Sequence, residues 1–276
     1  MKNARQVIYI CIGAAMILLS VGLIFAKQSA DDGELLHGDS GVRTFKGPVN
    51  TLVFEAGACG IDIVTGNTED FILEYEGLSH ATLSDHLENG ELSIKLKMDS
   101  SWNSKWFSVD TEDTKIKLTI PKDAELDSAL FEFGAADIDM EKVQAKKLYI
   151  TVGAGELNAE NLTATESAHF TVGAGSFVAE EVVLTNADLE CGVGEMKVSG
   201  TLDGASVAEC GVGSMEIAIA GEQAEYYGEL NCGLGEIECG DIQIGGSGKQ
   251  SYGTSSAERR MDIKCGIGEV DVRFYK

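Results

Sequence analysis

The sequence has little proline, little histidine and few basic residues, and each shortage excludes something. Only 2 of the 276 residues are proline, so the turns depend on the 33 glycines. The 4 histidines, His37, His80, His86 and His169, show no spacing that is typical of metal ligands. Lys and Arg total 21 against 45 acidic residues, a net charge of −24. Such a surface repels phosphates, which argues against a nucleic-acid partner.

Long apolar runs are also scarce, and the chain has one of them, VIYICIGAAMILLSVGLIFA at residues 7–26. At 1.5 Å rise per residue this run spans about 30 Å, one bilayer core. Lys2 and Arg5 precede it and DDGE follows it, which places residues 1–6 in the cytoplasm and the acidic remainder outside. We therefore expect a transmembrane helix at 7–26 and a linker at 27–44. A cleavable signal peptide is the alternative, because its charged start looks the same.

The rest of the chain carries a repeat of about twenty residues, in which Gly-x-Gly leads into alternating apolar positions. VGAGELNA at 152–159, CGVGEMKV at 191–198 and CGIGEVDV at 265–272 are three copies. The first glycines are Gly134, Gly153, Gly173, Gly192, Gly211, Gly233 and Gly266, with spacings of 19, 20, 19, 19, 22 and 33. This period predicts an all-β, single-stranded β-solenoid with coils of about 19–20 residues. We assign residues 45–131 to an irregular leading or capping β region and 132–276 to the repetitive solenoid.

The second glycine of each repeat is predicted to form a corner. Alternation from Val152 places Ala154 inside the core, but Leu157 comes next, so the inward parity shifts by one residue. The same argument places Ile267 inside. A bulge or corner allows such a shift, and glycine tolerates the positive φ that it can require. The predicted corner glycines are Gly155, Gly175, Gly194, Gly213, Gly235 and Gly268. A dinucleotide-binding loop would instead occur once and open a helix.

Four cysteines stand directly before the first glycine of a repeat: Cys191, Cys210, Cys232 and Cys265. Stacked coils lie about 4.8 Å apart, so four thiols on consecutive coils extend over roughly 14 Å and cannot surround one zinc ion. Disulfides between neighbours are an alternative. We predict a core ladder of small apolar thiols that replaces Val152 and Val172 of the earlier repeats.

Two segments stand outside the repeat, at 98–113 and 245–260, and we expect the second to be a flexible surface insertion. Aromatic rings amid Ser, Asn and Asp are typical of a carbohydrate-facing or membrane-facing tip, although they can also cover the end of a solenoid. The candidate interaction residues in the two segments are Trp102, Trp106, Phe107, Arg259 and Arg260.

The segment IKLTIPKDAELDSALFEFGAADIDM at 116–140, followed by Gly-x-Gly-hydrophobic-x-hydrophobic units, resembles the bacterial "putative-adhesin" or toast-rack β-solenoid family, a domain of unknown function. The same class occurs in the extracytoplasmic parts of phage-shock and Lia-type envelope-stress proteins. The resemblance covers roughly residues 45–276. It implies a repetitive cell-surface β domain, and it supplies no catalytic residues to carry over.

Together these observations predict a single-pass membrane protein whose acidic β-solenoid lies outside the cell. We expect a non-enzymatic scaffold or interaction protein, adhesin-like or associated with envelope stress, without cofactor or metal. Its expected partners are the membrane, through residues 7–26, and another protein or a second copy, with a glycan as a further candidate. A glycan-binding module using Trp102 and Trp106 is one alternative, and a carbohydrate-active enzyme using Asp137 and Asp139 is another.

Overall fold

The computed structural model describes residues 34–35, 40–78, 81–98, 114–254 and 256–276. The expected cytoplasmic tail, the membrane helix and most of the linker lie outside these residues, as do Trp102, Trp106 and Phe107. No helix among the described residues is long and apolar enough to cross a membrane.

The described residues are all-β, as predicted, with 24 strands and a short 3-10 turn at Gln223–Glu225. The first twelve strands are β1 Glu34–Leu35, β2 Ser40–Phe45, β3 Thr51–Ala56, β4 Gly60–Gly66, β5 Phe71–Glu76, β6 Ala81–Glu88, β7 Glu91–Met98, β8 Lys115–Pro121, β9 Leu126–Phe133, β10 Asp137–Met140, β11 Val143–Val152 and β12 Glu156–Glu160. The others are β13 Leu162–Val172, β14 Ser176–Thr185, β15 Ala187–Cys191, β16 Glu195–Asp203, β17 Ala205–Cys210, β18 Ser214–Ala220, β19 Tyr226–Cys232, β20 Glu236–Cys239, β21 Ile242–Gly245, β22 Lys249–Tyr252, β23 Arg259–Cys265 and β24 Glu269–Tyr275.

Most strands pair in parallel with the strand one repeat away, so the repeats stack as coils around a common core. On one face β11, β13 and β15 are in register, and on the other β12, β14 and β16 are. A coil is one strand of each face with the bend between them. Because side chains alternate along a strand, every second residue points inward. Leu148 and Leu157 are fully buried, each from one face of the same coil.

The order of the coils in space departs from the chain order at both ends of the stack. The coil β23–β24 lies between β17–β18 and β19–β20, although it is the last of the three in the chain. At the other end the coil β3–β4 lies between the pair β7 and β8 and the coil β9–β10. The region predicted as irregular, 45–131, therefore contains regular coils, and β9 crosses its predicted boundary.

Antiparallel strands close both ends of the stack. β6 and β5 pair outside β7 and β8, while β22 and β21 pair outside β19 and β20. A parallel edge would otherwise present unpaired backbone groups to any passing strand. Much of the segment 245–260, expected to be a flexible insertion, belongs to this cap. Its Tyr252 is buried, and the hydroxyl donates a hydrogen bond to the Met261 carbonyl oxygen at 2.8 Å.

Candidate functional site along the glycine bends

Each coil turns from one face to the other at its Gly-x-Gly motif, and successive bends lie almost in contact. A Cβ added to the second glycine would lie 1.9–2.1 Å from the carbonyl oxygen of the neighbouring bend. This holds for all six predicted corner glycines, Gly155, Gly175, Gly194, Gly213, Gly235 and Gly268. None of the six has a positive φ. Glycine is therefore required here by close stacking of backbones, and not by the left-handed conformation that the parity argument invoked.

The residue between the two glycines points away from the core. Val193, Val212, Ile267 and Leu234 are 67%, 47%, 47% and 66% exposed. They lie on neighbouring coils, because the N–H groups of Val212, Ile267 and Leu234 each donate to the first glycine of the coil before, at 2.7–2.8 Å. We call these four side chains the aliphatic ridge. Exposed apolar side chains that form one continuous line are typical of an interaction surface.

The predictions that Ala154 and Ile267 face the core are wrong. Both are exposed, whereas Val152 and Leu157 on either side of the first bend are buried. The chain already turns at the first glycine, so the inward parity ends one residue earlier than an uninterrupted strand would require. The earlier coils present Ala154 and Ala174 at the ridge position, and the larger aliphatic residues begin at Val193.

Carboxylates border the ridge where three of its four bends enter the next strand, and Ser214 takes this position at the bend of Val212. Glu195, Glu236 and Glu269 directly follow second glycines. Glu195 forms an ion pair with Lys197 at 2.8 Å, and Glu236 accepts a hydrogen bond from the Gln243 amide. The ridge is thus an apolar line beside negative charge. The glutamates beside the ridge repel anionic surfaces, and the ridge side chains themselves offer an uncharged, apolar contact surface.

The predicted cysteine ladder lies directly behind these bends, but its order differs from the chain order. The Cα register pairs Cys191 with Cys210, Cys210 with Cys265, and Cys265 with Cys232. The ladder therefore runs Cys191, Cys210, Cys265, Cys232, because the coil of Cys265 is inserted between its neighbours. All four side chains are buried and all four are free thiols.

A groove of about 690 Å³ lies on the outer side of the face that contains β9, β11, β13 and β15. In it, His169 Nε2 lies 3.2 Å from Thr171 Oγ1 and His169 Nδ1 lies 3.3 Å from Asp188 Oδ2. A hydroxyl, an imidazole and a carboxylate in line are the polar groups of many nucleophilic sites. The strand that carries His169 and Thr171 is paired on both sides, however, so its N–H groups are engaged and do not form an oxyanion hole.

A family model described as Toastrack DUF4097 matches residues 49–265. The chain belongs to this family. The resemblance of the sequence to toast-rack proteins is thereby confirmed. The match includes all four cysteines of the ladder and the whole aliphatic ridge except Ile267.

Several solved structures are similar to the Toastrack chain at low sequence identity. A "putative cell adhesion protein" from Clostridium sporogenes is 10% identical, with 86% of this chain and 100% of that chain covered and a TM-score of 0.39. A "putative lipid binding protein" from Parabacteroides distasonis is 18% identical, with 86% and 97% covered and a TM-score of 0.44. A "putative adhesin" from Bacteroides fragilis is 12% identical, with 87% and 97% covered and a TM-score of 0.39. No curated protein matches the sequence.

We expected Arg259 and Arg260 of the Toastrack chain to lie in a flexible surface insertion. Instead, they begin the inserted strand β23. Arg259 forms ion pairs with Asp203 at 2.7 Å and Glu225 at 2.6 Å. Its guanidinium also lies 5.5 Å from the centre of the Tyr226 ring. Arg260 is paired within its own strand. These contacts fasten the inserted coil to both neighbours, so Arg259 acts in packing and is not a free interaction residue.

Carboxylates of the Toastrack chain lie at two places, on β10 and in the groove. Asp137 and Asp139 are exposed on β10. In the groove, burial is the main cause that raises the pKa of Glu132 and of Glu190. These two residues lie three coils apart in the register, about 14 Å. Glu55, which also lines the groove, is the register partner of Glu132 on the adjacent strand, and its charge contributes to the raised pKa of Glu132.

We predict a pH-dependent stabilisation at His169. The hydrogen bond with Asp188 raises the pKa of the imidazole, and burial acts in the opposite direction. A raised pKa stabilises the fold fully below the unfolded value of about 6.5, and this contribution is lost as the pH rises through the folded value. NMR titration of the His169 ring should show a pKa that Asp188→Asn lowers. Asp188→Asn should also destabilise the protein more at about pH 5.5 than at about pH 8.5. An unchanged imidazole pKa in the variant would contradict this.

Proposed function

We propose that this protein is a membrane-anchored, extracytoplasmic β-solenoid that acts as a non-enzymatic, adhesin-like interaction protein, and that the aliphatic ridge is its contact surface. The observation that carries the proposal is the exposure of four aliphatic side chains at consecutive bends, 47–67% each. Stacking of the bends does not require large aliphatic side chains at this position, since the earlier coils place Ala154 and Ala174 there. Burying such side chains against a partner provides the free energy of association.

The partner that fits the ridge is a second copy of the chain. The ridge presents one side chain per coil, with a spacing of about 4.8 Å that another stack of the same kind reproduces. Glycines on both sides of each ridge residue leave furrows, so two antiparallel ridges can interdigitate around a two-fold axis. The bordering carboxylates then approach each other, and we expect association to strengthen as salt screens them.

A ridge of four side chains is a small interface, so its effect depends on how the chains are held. Anchoring through the apolar run at 7–26 confines the domains to one surface and raises their effective concentration. Under these conditions a weak contact is sufficient for clustering. An anchored domain of this kind suits the scaffold or envelope-associated role that the toast-rack family resemblance suggested.

We predict that removing the ridge abolishes self-association. The full chain is reconstituted in liposomes with donor- and acceptor-labelled copies, and energy transfer is measured against protein density. The variant Val193→Ser, Val212→Ser, Ile267→Ser, Leu234→Ser should weaken association by at least about tenfold, because each exposed contact is replaced by a polar group. The side chains are exposed, so the fold should survive, and thermal unfolding checks this.

The matched control is the pair Val42→Ser and Val183→Ser. These valines are 64% and 46% exposed but lie away from the ridge. The control should associate like the wild type. Equal energy transfer in the ridge variant and the wild type would show that the ridge is not the contact surface. Absence of transfer in the wild type at any density would show that the partner is not a second copy.

A further inference from the structure

The cysteine ladder places its thiols side by side along the stack. The Cα register sets Cys191 beside Cys210, Cys210 beside Cys265, and Cys265 beside Cys232, each pair one strand spacing of about 4.8 Å apart. The four sulfur atoms therefore form an unbroken line inside the stack. The two earlier coils fill the same position with Val152 and Val172, which are also fully buried. Packing alone is thus satisfied by valine and does not call for sulfur.

We propose that the cysteine ladder binds two monovalent copper ions, one between Cys191 and Cys210 and the other between Cys265 and Cys232. Cu(I) is a soft ion that prefers thiolate ligands. It accepts two thiolates in a linear arrangement, so two facing thiols complete its coordination. A line of four thiols divides into two such pairs and leaves no sulfur unused.

The geometry disfavours ions that need more ligands. A structural zinc site requires four ligands in a tetrahedron. Among the residues that the structure describes, no group of three or more His, Cys, Asp or Glu side chains is placed to hold a metal. A thiol in the line has other thiols beside it only along the line, on one side or on both, and Cys191 Sγ and Cys265 Sγ also donate hydrogen bonds to the carbonyl oxygens of Gly194 and Gly268. The ladder therefore selects for an ion that accepts two sulfurs.

The binding step is a proton exchange without a change of oxidation state. Two S–H bonds break and two S–Cu bonds form for each Cu(I), and two protons pass to water. Burial opposes the thiolate state, and contact with Cys191 and burial raise the pKa of Cys210 to about 12. The bonds to copper must offset this cost. Because two protons leave per ion, the apparent affinity should rise about 100-fold per pH unit below the thiol pKa values.

An ion reaches the ladder through the glycine bends. Cys191 Sγ, Cys210 Sγ and Cys265 Sγ lie 3.1, 3.0 and 2.8 Å from the positions that a Cβ would take on glycines of the next coil. Those glycines are Gly213, Gly268 and Gly235. Glycine positions, which carry no side chain, therefore lie against these three sulfur atoms at the bends that present the ridge. A small ion can enter there when a bend opens locally.

The test counts bound copper in variants that keep the same number of thiols but differ in their adjacency. The purified full chain is titrated anaerobically with Cu(I) against a Cu(I) chelator of known affinity, and native mass spectrometry gives the stoichiometry. The wild type should bind two ions. Cys210→Val with Cys265→Val leaves two thiols that are not neighbours, and this variant should bind none. Cys191→Val with Cys232→Val leaves Cys210 and Cys265, which are neighbours in the structure, and this variant should bind one.

Valine is the native residue at this position in earlier coils, so the variants should fold, and circular dichroism verifies it. Cys59→Val with Cys239→Val changes two buried cysteines outside the ladder and should leave two ions bound. The single variant Cys265→Val keeps the pair Cys191 and Cys210 and should bind one ion even if a double variant fails to fold. Equal stoichiometry in the two ladder double variants, or fewer than one ion in the wild type, overturns the proposal. Neither result bears on self-association through the ridge.

Discussion

Replacing Gly213 by alanine will destabilise the protein by at least about 3 kcal/mol, the upper part of the range for overpacked sites. The added Cβ would lie 1.9 Å from the Gly194 carbonyl oxygen and 3.1 Å from Cys191 Sγ. Both atoms are held in place by the stacked bends, so the two coils must separate locally. Thermal unfolding should show a fall in Tm of about 6–12 °C for a domain of this size.

Gly60→Ala is the matched control for this change. An added Cβ at Gly60 meets its nearest atom at 3.8 Å, an ordinary contact, and Gly60 has no positive φ. We expect this variant to unfold within about 0.5 kcal/mol of the wild type. If Gly213→Ala is as stable as Gly60→Ala, the close stacking of the bends is not what requires glycine.

Replacing Tyr226 by alanine will release the outer coil of the stack, at a cost of about 3–5 kcal/mol. The ring is 1% exposed and lies beneath the Arg259 guanidinium. Its hydroxyl donates a hydrogen bond to the Leu202 carbonyl oxygen at 2.8 Å. The coil that it belongs to has a parallel neighbour on one side only, so the loss should be local. Hydrogen exchange should accelerate in β19 and β20 while β13 and β14 stay protected.

Two further variants separate the contribution of the Tyr226 hydrogen bond from that of its ring, and the effect of Tyr226 from that of any tyrosine in β19. Tyr226→Phe keeps the ring and loses the hydrogen bond, and we expect a cost of about 1–2 kcal/mol. Tyr227→Ala removes the neighbouring, partly exposed tyrosine and should change exchange in β19 much less. Exchange that accelerates equally in every strand of the Tyr226→Ala variant would refute a local release of the outer coil.

The period of the Gly-x-Gly motif was enough to predict an all-β chain, stacked repeats and a line of buried cysteines. Alternation also predicted the burial of Val152 and Leu157 correctly, because a strand has only two sides. Neither pattern could predict the order of the coils. Repeats that share one register fit beside each other equally well. The local sequence therefore does not specify that the coil of Cys265, and not that of Cys232, stacks next to Cys210.

The aliphatic ridge was missed for a different reason. Counting alternate residues through the bend treated Ile267 as a continuation of the strand, whereas the chain turns one residue earlier. The signal was present in the motif, since its middle residue is Val193, Val212, Leu234 and Ile267 in the last four repeats. Aliphatic residues that recur at a predicted turn, where polar residues are usual, indicate an exposed and functional position.

The inserted coil β23–β24 sets a requirement for biogenesis. The ribosome delivers β19 and β20 before β23 and β24, so the earlier pair emerges while the edge of β17 and β18 is still vacant. Both pairs carry the same Cys-Gly-x-Gly-Glu motif, and the earlier one can occupy that edge in the wrong place. If β19 and β20 pair there first, they must dissociate from β17 and β18 before β23 and β24 can pair at that edge. Folding of this end of the stack is therefore complete only after the last residues of β24 have been synthesised.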